Sequence, residues 1–421
     1  MSALLGGWLL AGVAHAACTV ITGATVHTPM GEQKGRTVVL DGDRIAGVGL
    51  QLDGLSLDVR GGDAGAPAAR WQGTDCEVVQ GAGKQLTPGI VAVDAALGLT
   101  EVGMEDGAND ADPRTGDAVR AALRAVDAYD PRSTLVPVNR IGGVTHSLVL
   151  PGGGGLVRGQ VGAVRLSGGS QAETIVATQV AMASGVPSNS WAEGLRQLRE
   201  LVADVRAYAA DPGAYRGARL RAVHPQASAL DLAALVPVVR GEVPLLVHAD
   251  RASEIESLLR VADELSLRLV VQGAAEGWLV AEQLAEAEVA VVLNPLVRRA
   301  QSFDGRYASE HNAERLIAAG VDVMFTGPFS THNAHLVRHY AGNAVRSGAP
   351  RQEALRSLWS VPAEVFGLEG VGSLEVGASA SVVLWSGDPL EVNSWAEQVW
   401  IDGRAVPMES RQTMLRDRYM P

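Results

Sequence analysis

Few of the side chains able to do chemistry sit where a fold could gather them. His248 closes the apolar run Pro244-Leu245-Leu246-Val247, and Asp94 closes Ile90-Val91-Ala92-Val93. A residue at the far end of a short buried strand projects into whatever site the fold builds there. His332, His335 and His339 follow the apolar run Val321–Phe325, and the i, i+4 spacing puts His335 and His339 on one helical face. Glu101, Glu105, Asp106 and Asp110 follow the first run and could reach the same mouth. Imidazoles and carboxylates that converge in this way can hold a zinc ion, which brings a bound water to near-neutral pKa. His248 by itself cannot, because one imidazole does not close a four-coordinate site.

The elements that must position these residues alternate strand with helix. Strands are expected at Ile90–Val93, Leu135–Val138, Thr145–Leu150, Val161–Leu166, Leu245–His248, Arg268–Val271, Val289–Leu293 and Val321–Phe325. Helical runs lie at Trp191–Ala210, Ala252–Leu265, Gly277–Ala287, Ala313–Ala319 and Gln352–Trp359. About eight strands predict an α/β fold of the (β/α)8 TIM-barrel type, with an open doubly wound sheet as the alternative. No G-x-G-x-x-G stands between a strand and a helix, so a dinucleotide site has no support. Gly152–Gly155 lacks the Lys-Ser/Thr ending of a phosphate loop and reads as a flexible loop at the barrel mouth.

Both ends of the chain have a different, β-rich texture. Thr37–Leu40, a Gly42 turn and Arg44–Gly49 read as a hairpin; Asp58–Thr74 reads as an exposed loop. Gly372–Gly377, Ser381–Trp385 and Gln398–Gly403 repeat the β character near the end. The expected organisation begins with a signal peptide at 1–16. A composite β-sandwich takes its N-terminal segment from 17–87 and its C-terminal segment, with a tail, from 367–421. The barrel occupies 88–366 between them.

A net charge of -12 without a basic run excludes nucleic acid as the expected partner. Lys34 and Lys84 are the only lysines, so no mechanism can draw on a lysine in the body of the chain. The short apolar stretch before Ala14-His15-Ala16 is too short to span a bilayer and has the small-x-small pattern of a cleaved export signal. A periplasmic or secreted protein is expected, in a compartment that pairs Cys18 with Cys76. Two buried thiols, or a lipid on Cys18, are the alternatives.

The stretch Gly83-Lys84 through Pro88-Gly89-Ile90-Val91-Ala92-Val93-Asp94-Ala95-Ala96 resembles the first barrel strand of the amidohydrolase superfamily, G-K-x-x-x-P-G-hydrophobic-x-D-x-H-x-H. Asp127-Ala128-Tyr129-Asp130-Pro131, Arg140 to Thr145, Pro151 to Gln160, Pro244 to Ala252 and Gly372 to Pro389 resemble, in order, later segments of imidazolonepropionase-like amidohydrolases. The likeness covers roughly residues 18 to 405. It implies a metal site built from two first-strand histidines, a fourth-strand lysine or glutamate, histidines on strands five and six, and an eighth-strand aspartate.

Set on that pattern, the two first-strand places hold Asp94 and Ala96, the sixth holds Gln272 or its neighbour and the eighth holds Gly327; His248 alone keeps a family ligand. Asp94 is expected to be a bare pocket carboxylate or to pair with Arg140 or Arg251, the second being favoured by the cost of burying a lone charge. The relic or binding residues are therefore Asp94, His248, Gln272, Gly327, Glu101 and Arg140. No metal is expected, with zinc only if the site has moved to the His332, His335 and His339 region. The expected function is an exported barrel that has lost metal-dependent hydrolysis and binds a small molecule or protein. The rival is a working hydrolase of C–N bonds, in peptide-like or other amides, with a relocated or reduced metal site. Homo-oligomerisation is left open.

Overall fold

The computed structural model describes residues 18–28, 31–58, 68–113, 116–186, 190–213, 227–300, 302–327 and 330–420. The expected signal peptide lies outside them. Among the described residues no helix is long and apolar enough to cross a membrane.

Eight strands form the barrel sheet: β8 (Ile90–Ala95), β9 (Val144–Val149), β10 (Val157–Arg165), β11 (Ile175–Gly185), β12 (Leu245–Ala249), β13 (Leu269–Gly273), β14 (Ala290–Leu293) and β15 (Val323–Phe325). Here β1–β7 denote the seven strands before β8, and neighbours in the barrel sheet follow chain order from β8 to β15. Strand alternation sorts the side chains. Val91, Val93, Leu246, Val270, Ala290, Val292 and Met324 fill the interior, with Val361, Ala363 and Phe366 packed against them. The intervening residues, among them Ile90, Leu245, Val247, Val271, Val291 and Phe325, join the outer core with the helices Trp191–Ala210, Ala229–Val239 and Ala252–Glu264. This two-residue period is what a pleated strand imposes.

Four expectations about the barrel need correction. Leu135–Arg140 is a short helix, not a strand; its apolar residues bury a helical face. The missing strand is β11, whose Thr, Gln, Met and Ser obscure the apolar run. The sheet is not wholly parallel: β10 runs antiparallel to both β9 and β11. Gly152–Gly155 thus joins two antiparallel strands, and Arg120 Nη2 pins it by donating to the carbonyls of Gly154 (2.7 Å) and Gly152 (3.3 Å).

The second sheet combines both chain ends. It contains β1 (Cys18–Thr28), β2 (Gly31–Asp41), β3 (Arg44–Gly49), β4 (Leu55–Asp58), β5 (Ala68–Trp71), β6 (Thr74–Gln80) and β7 (Gln85–Pro88), with β16 (Val382–Trp385), β17 (Ala396–Ile401) and β18 (Arg404–Ala405). β7 pairs with β16, which joins the two ends of the chain. The ten strands form one connected sheet. β5 falls inside the expected loop, whose residues 59–67 lie outside the described ones, and Gly372–Gly377 forms turns, not a strand. Cys18 and Cys76 are disulfide-bonded, their Cα atoms 4.6 Å apart. Trp385 docks this sheet on the barrel: the Arg338 guanidinium lies 5.2 Å from its ring centre, while its indole N–H donates to Thr87 Oγ1 (2.8 Å) on β7 of its own sheet.

Candidate functional site

At the C-terminal ends of the barrel strands lies a cavity of about 290 Å³, walled by Asp94, His248, Asp250, Gln272, Asn294 and Thr326 with residues of the following loops. A larger cavity, about 920 Å³, lies at the opposite ends of β12 to β15, beside Pro244, Arg268, Val289 and Asp322. Catalytic groups of such barrels come from the C-terminal strand ends, which makes the smaller cavity the candidate.

Strand parity delivers most of its wall. Leu246, Val270, Val292 and Met324 point inward, so His248, Gln272, Asn294 and Thr326, each two residues on, enter the mouth. Asp94 breaks this parity. Val91 and Val93 point inward, which would turn position 94 outward, but Asp94 has φ +57. The left-handed residue, a conformation aspartate tolerates better than most, reverses the alternation and brings the carboxyl into the cavity. The pairing of β8 with β9 shifts register at the same point.

Burial raises the pKa of Asp94 above the usual carboxylate range, against the opposing effects of a Gln272 hydrogen bond, the Arg158 and His248 charges and the Thr326 hydroxyl. Arg158 is therefore the guanidinium that faces Asp94, beside the His248 imidazole. Neither expected partner is. Arg140 donates to the carbonyls of Leu166 and Ser167, both at 3.3 Å, and Arg251 pairs with Asp304 and Glu254. Arg158 Nη2 also donates to Gln272 Oε1 at 3.4 Å, which leaves the Gln272 NH2 free to donate to Asp94.

His248 Nε2 lies 3.3 Å from Asp250 Oδ2, and its ring is half exposed at the cavity wall. The Asp250 hydrogen bond raises the imidazole pKa, with burial opposing. Burial opposes the Asp250 carboxylate too, yet His248 and the Ala275 N–H, 3.2 Å away, hold its pKa below the ordinary value. The pair fits because Gly273 has no side chain: a Cβ there would fall 2.6 Å from Asp250 Oδ1 and 2.7 Å from His248 Cε1.

The other singled-out residues lie elsewhere. Glu101 Oε2 accepts from Thr134 Oγ1 (2.8 Å), and its carbonyl meets His332 Nε2 (3.2 Å). Glu105, Asp106 and Asp110 are exposed. His335 Nδ1 is bonded to Asn139 Oδ1 (3.0 Å). Burial, with Arg338 and His335 beside it, pushes the His339 pKa down to about 4. The cavity thus unites Asp94, His248, Gln272 and Gly327, and omits Glu101 and Arg140. Asp250, Asn294, Thr326 and Arg158 went unrecognised in the sequence. Counting two residues past each inward apolar side chain finds Asn294 and Thr326; nothing local marks Arg158.

The donor set does not fit the metal that the family resemblance implies. Ala96 offers no ligand, and Gln272 offers an amide already engaged by Arg158. At position 327 a Cβ would fall 1.9 Å from Tyr340 Cε2, so an aspartate there would collide with the ring. Lys84 is held by Glu397, and Lys34 is exposed on β2. Among the described residues no group of three or more His, Cys, Asp or Glu could hold a metal ion.

Comparison with known proteins agrees with the fold. An amidohydrolase from Thermotoga maritima MSB8 superposes with a TM-score of 0.78 at 24% identity, covering 92% of this chain and 99% of that one. A prolidase solved with N-methylphosphonate-L-proline gives 0.52 at 16% identity, with 93% and 100% covered. Amidohydrolase tasK of Hapsidospora irregularis is 23% identical over 369 residues, which are 79% of this chain but only 37% of that protein. The chain therefore spans little more than a third of that curated relative. The profile of the Amidohydrolase family matches residues 84–407, from the lysine before the first barrel strand to the last strand of the terminal sheet, and the chain belongs to that family.

Proposed function

We propose that this amidohydrolase-family chain works without a resident metal, and that its barrel mouth binds a small polar molecule. The observation that carries the reading is the packing of Tyr340 against Gly327, which leaves no room for a carboxylate where the family pattern has its aspartate. The size of the cavity, about 290 Å³, suits a compact ligand, and its amide, carboxyl and imidazole groups suit a hydrogen-bonding one. Export to an oxidising compartment accords with the Cys18–Cys76 bond.

Elemental analysis of protein purified without an affinity tag tests the proposal. Far less than one zinc, iron or manganese per chain is the expected result, and stoichiometric metal would overturn it. One observation favours a second reading. The His248–Asp250 pair is arranged as an imidazole oriented by a carboxylate, a unit that can move protons in amide hydrolysis. Turnover of an amide that survives chelators and disappears in His248→Ala would select that reading over ligand binding alone.

A further inference from the structure

We propose that Arg158 is the built-in cation of the barrel mouth, supplying from within the chain the positive charge that stabilises the Asp94 side, and positioning Asp94 through Gln272. The inference rests on the metal-free reading of the same site. It begins with the reversed strand. β10 pairs Gly162 with Val149, the last residue of β9, and runs antiparallel to it. Residues before Gly162 therefore extend toward the mouth, whereas a parallel strand would carry them to the opposite end. The reversal of one strand is what brings Arg158 to the level of Asp94.

The side chain then crosses the barrel. Asp94 lies next to the end of β8 and Gln272 near the end of β13, on the other side of Arg158 in the strand order. Arg158 Nη2 donates to Gln272 Oε1, and Gln272 hydrogen-bonds Asp94. Arg158 Nε is buried and makes no hydrogen bond, so the guanidinium is held by the amide and by charge, not by a forked carboxylate pair. Three strands are linked at a place where a buried carboxylate would otherwise have only the half-exposed His248 as a counter-charge, a costly state. A guanidinium is suited to this role because it stays protonated in a poorly solvated site.

A double-mutant cycle in the full chain tests the proposal, read as urea unfolding at pH 7. Arg158→Met should raise the unfolding equilibrium constant by at least about tenfold, because it removes the larger of the two positive charges that offset burial at Asp94. Adding Asp94→Asn to that variant should recover most of the loss, and Arg158→Lys, which keeps the charge without the planar fork, should recover part of it. If Arg158→Met does not fold, Arg158→Met/Asp94→Asn still should, and its failure to fold would count against the proposal. Additive effects, or a lysine variant as unstable as the methionine one, would make Arg158 a packing residue and end the inference. Metal content is measured on the same wild-type protein. Stoichiometric metal would sink the metal-free reading itself, while additivity in metal-free protein would sink only the role of Arg158.

Discussion

Replacing Gly273 by alanine should dismantle the His248–Asp250 pair without touching either residue. The new Cβ would fall 2.6 Å from Asp250 Oδ1 and 2.7 Å from His248 Cε1, both inside the closest approach that such atoms tolerate, and Gly273 has φ +95. Backbone strain of this kind costs about 1–3 kcal/mol. Losing the half-exposed histidine–carboxylate contact adds at most about 1 kcal/mol after solvent screening. Alanine also lowers the entropy of the unfolded chain, which returns about 0.4–1 kcal/mol. The net expectation is a destabilisation of about 2 kcal/mol, read as a lower urea midpoint at unchanged slope.

A second signal is specific to the pair. The folded pKa of His248 is raised, chiefly by its hydrogen bond to Asp250. Its stabilisation is therefore complete below the unfolded value and fades as pH rises through the folded one. In Gly273→Ala the imidazole, followed by NMR, should titrate closer to its ordinary value of about 6.5, and the loss of stability on that alkaline side should flatten. A variant with unchanged midpoint and unchanged His248 titration would refute the account of why position 273 is glycine.

Burial sets an acid limit on the fold through His146, whose pKa is pushed down to about 4. The unfolded chain takes up that proton first, so stability should fall as pH drops from about 6.5 toward 4, by about 3 kcal/mol when complete; a His146→Gln variant with an equally steep acid limb would contradict this. The Cys18–Cys76 bond closes a loop of 58 residues, and its removal by Cys76→Ser should cost about 4 kcal/mol by the loop-entropy relation. Urea unfolding of the variant checks it, and an unchanged midpoint would show that the terminal sheet is held by pairing alone.

Several features were legible in the residues because they depend on local pattern. The helix Trp191–Ala210 has Leu195, Leu198, Leu201, Val202 and Val205 on one buried face, a period that survives without knowledge of its neighbours. Ile90–Val93, Leu245–His248 and Val289–Leu293 are apolar runs of strand length, and they became β8, β12 and β14. The resemblance carried by Gly83 to Ala96 pointed to the family to which the chain belongs. β11 was missed because its outer half is solvated and polar, and Leu135–Arg140 was misread because a short apolar run serves a helix and a strand equally well.

The sequence by itself determined which residues could line a barrel mouth, because covalent alternation along a strand obliges His248 and Gln272 to follow inward-facing Leu246 and Val270. Only the tertiary structure decided what those residues do there. The positive φ of Asp94, the reversal of β10 that presents Arg158, and the Tyr340 ring that fills the space beside Gly327 all depend on how segments pack against one another. Charge compensation and steric exclusion act across space over a few ångströms, and no spacing along the chain encodes which distant atoms will come that close.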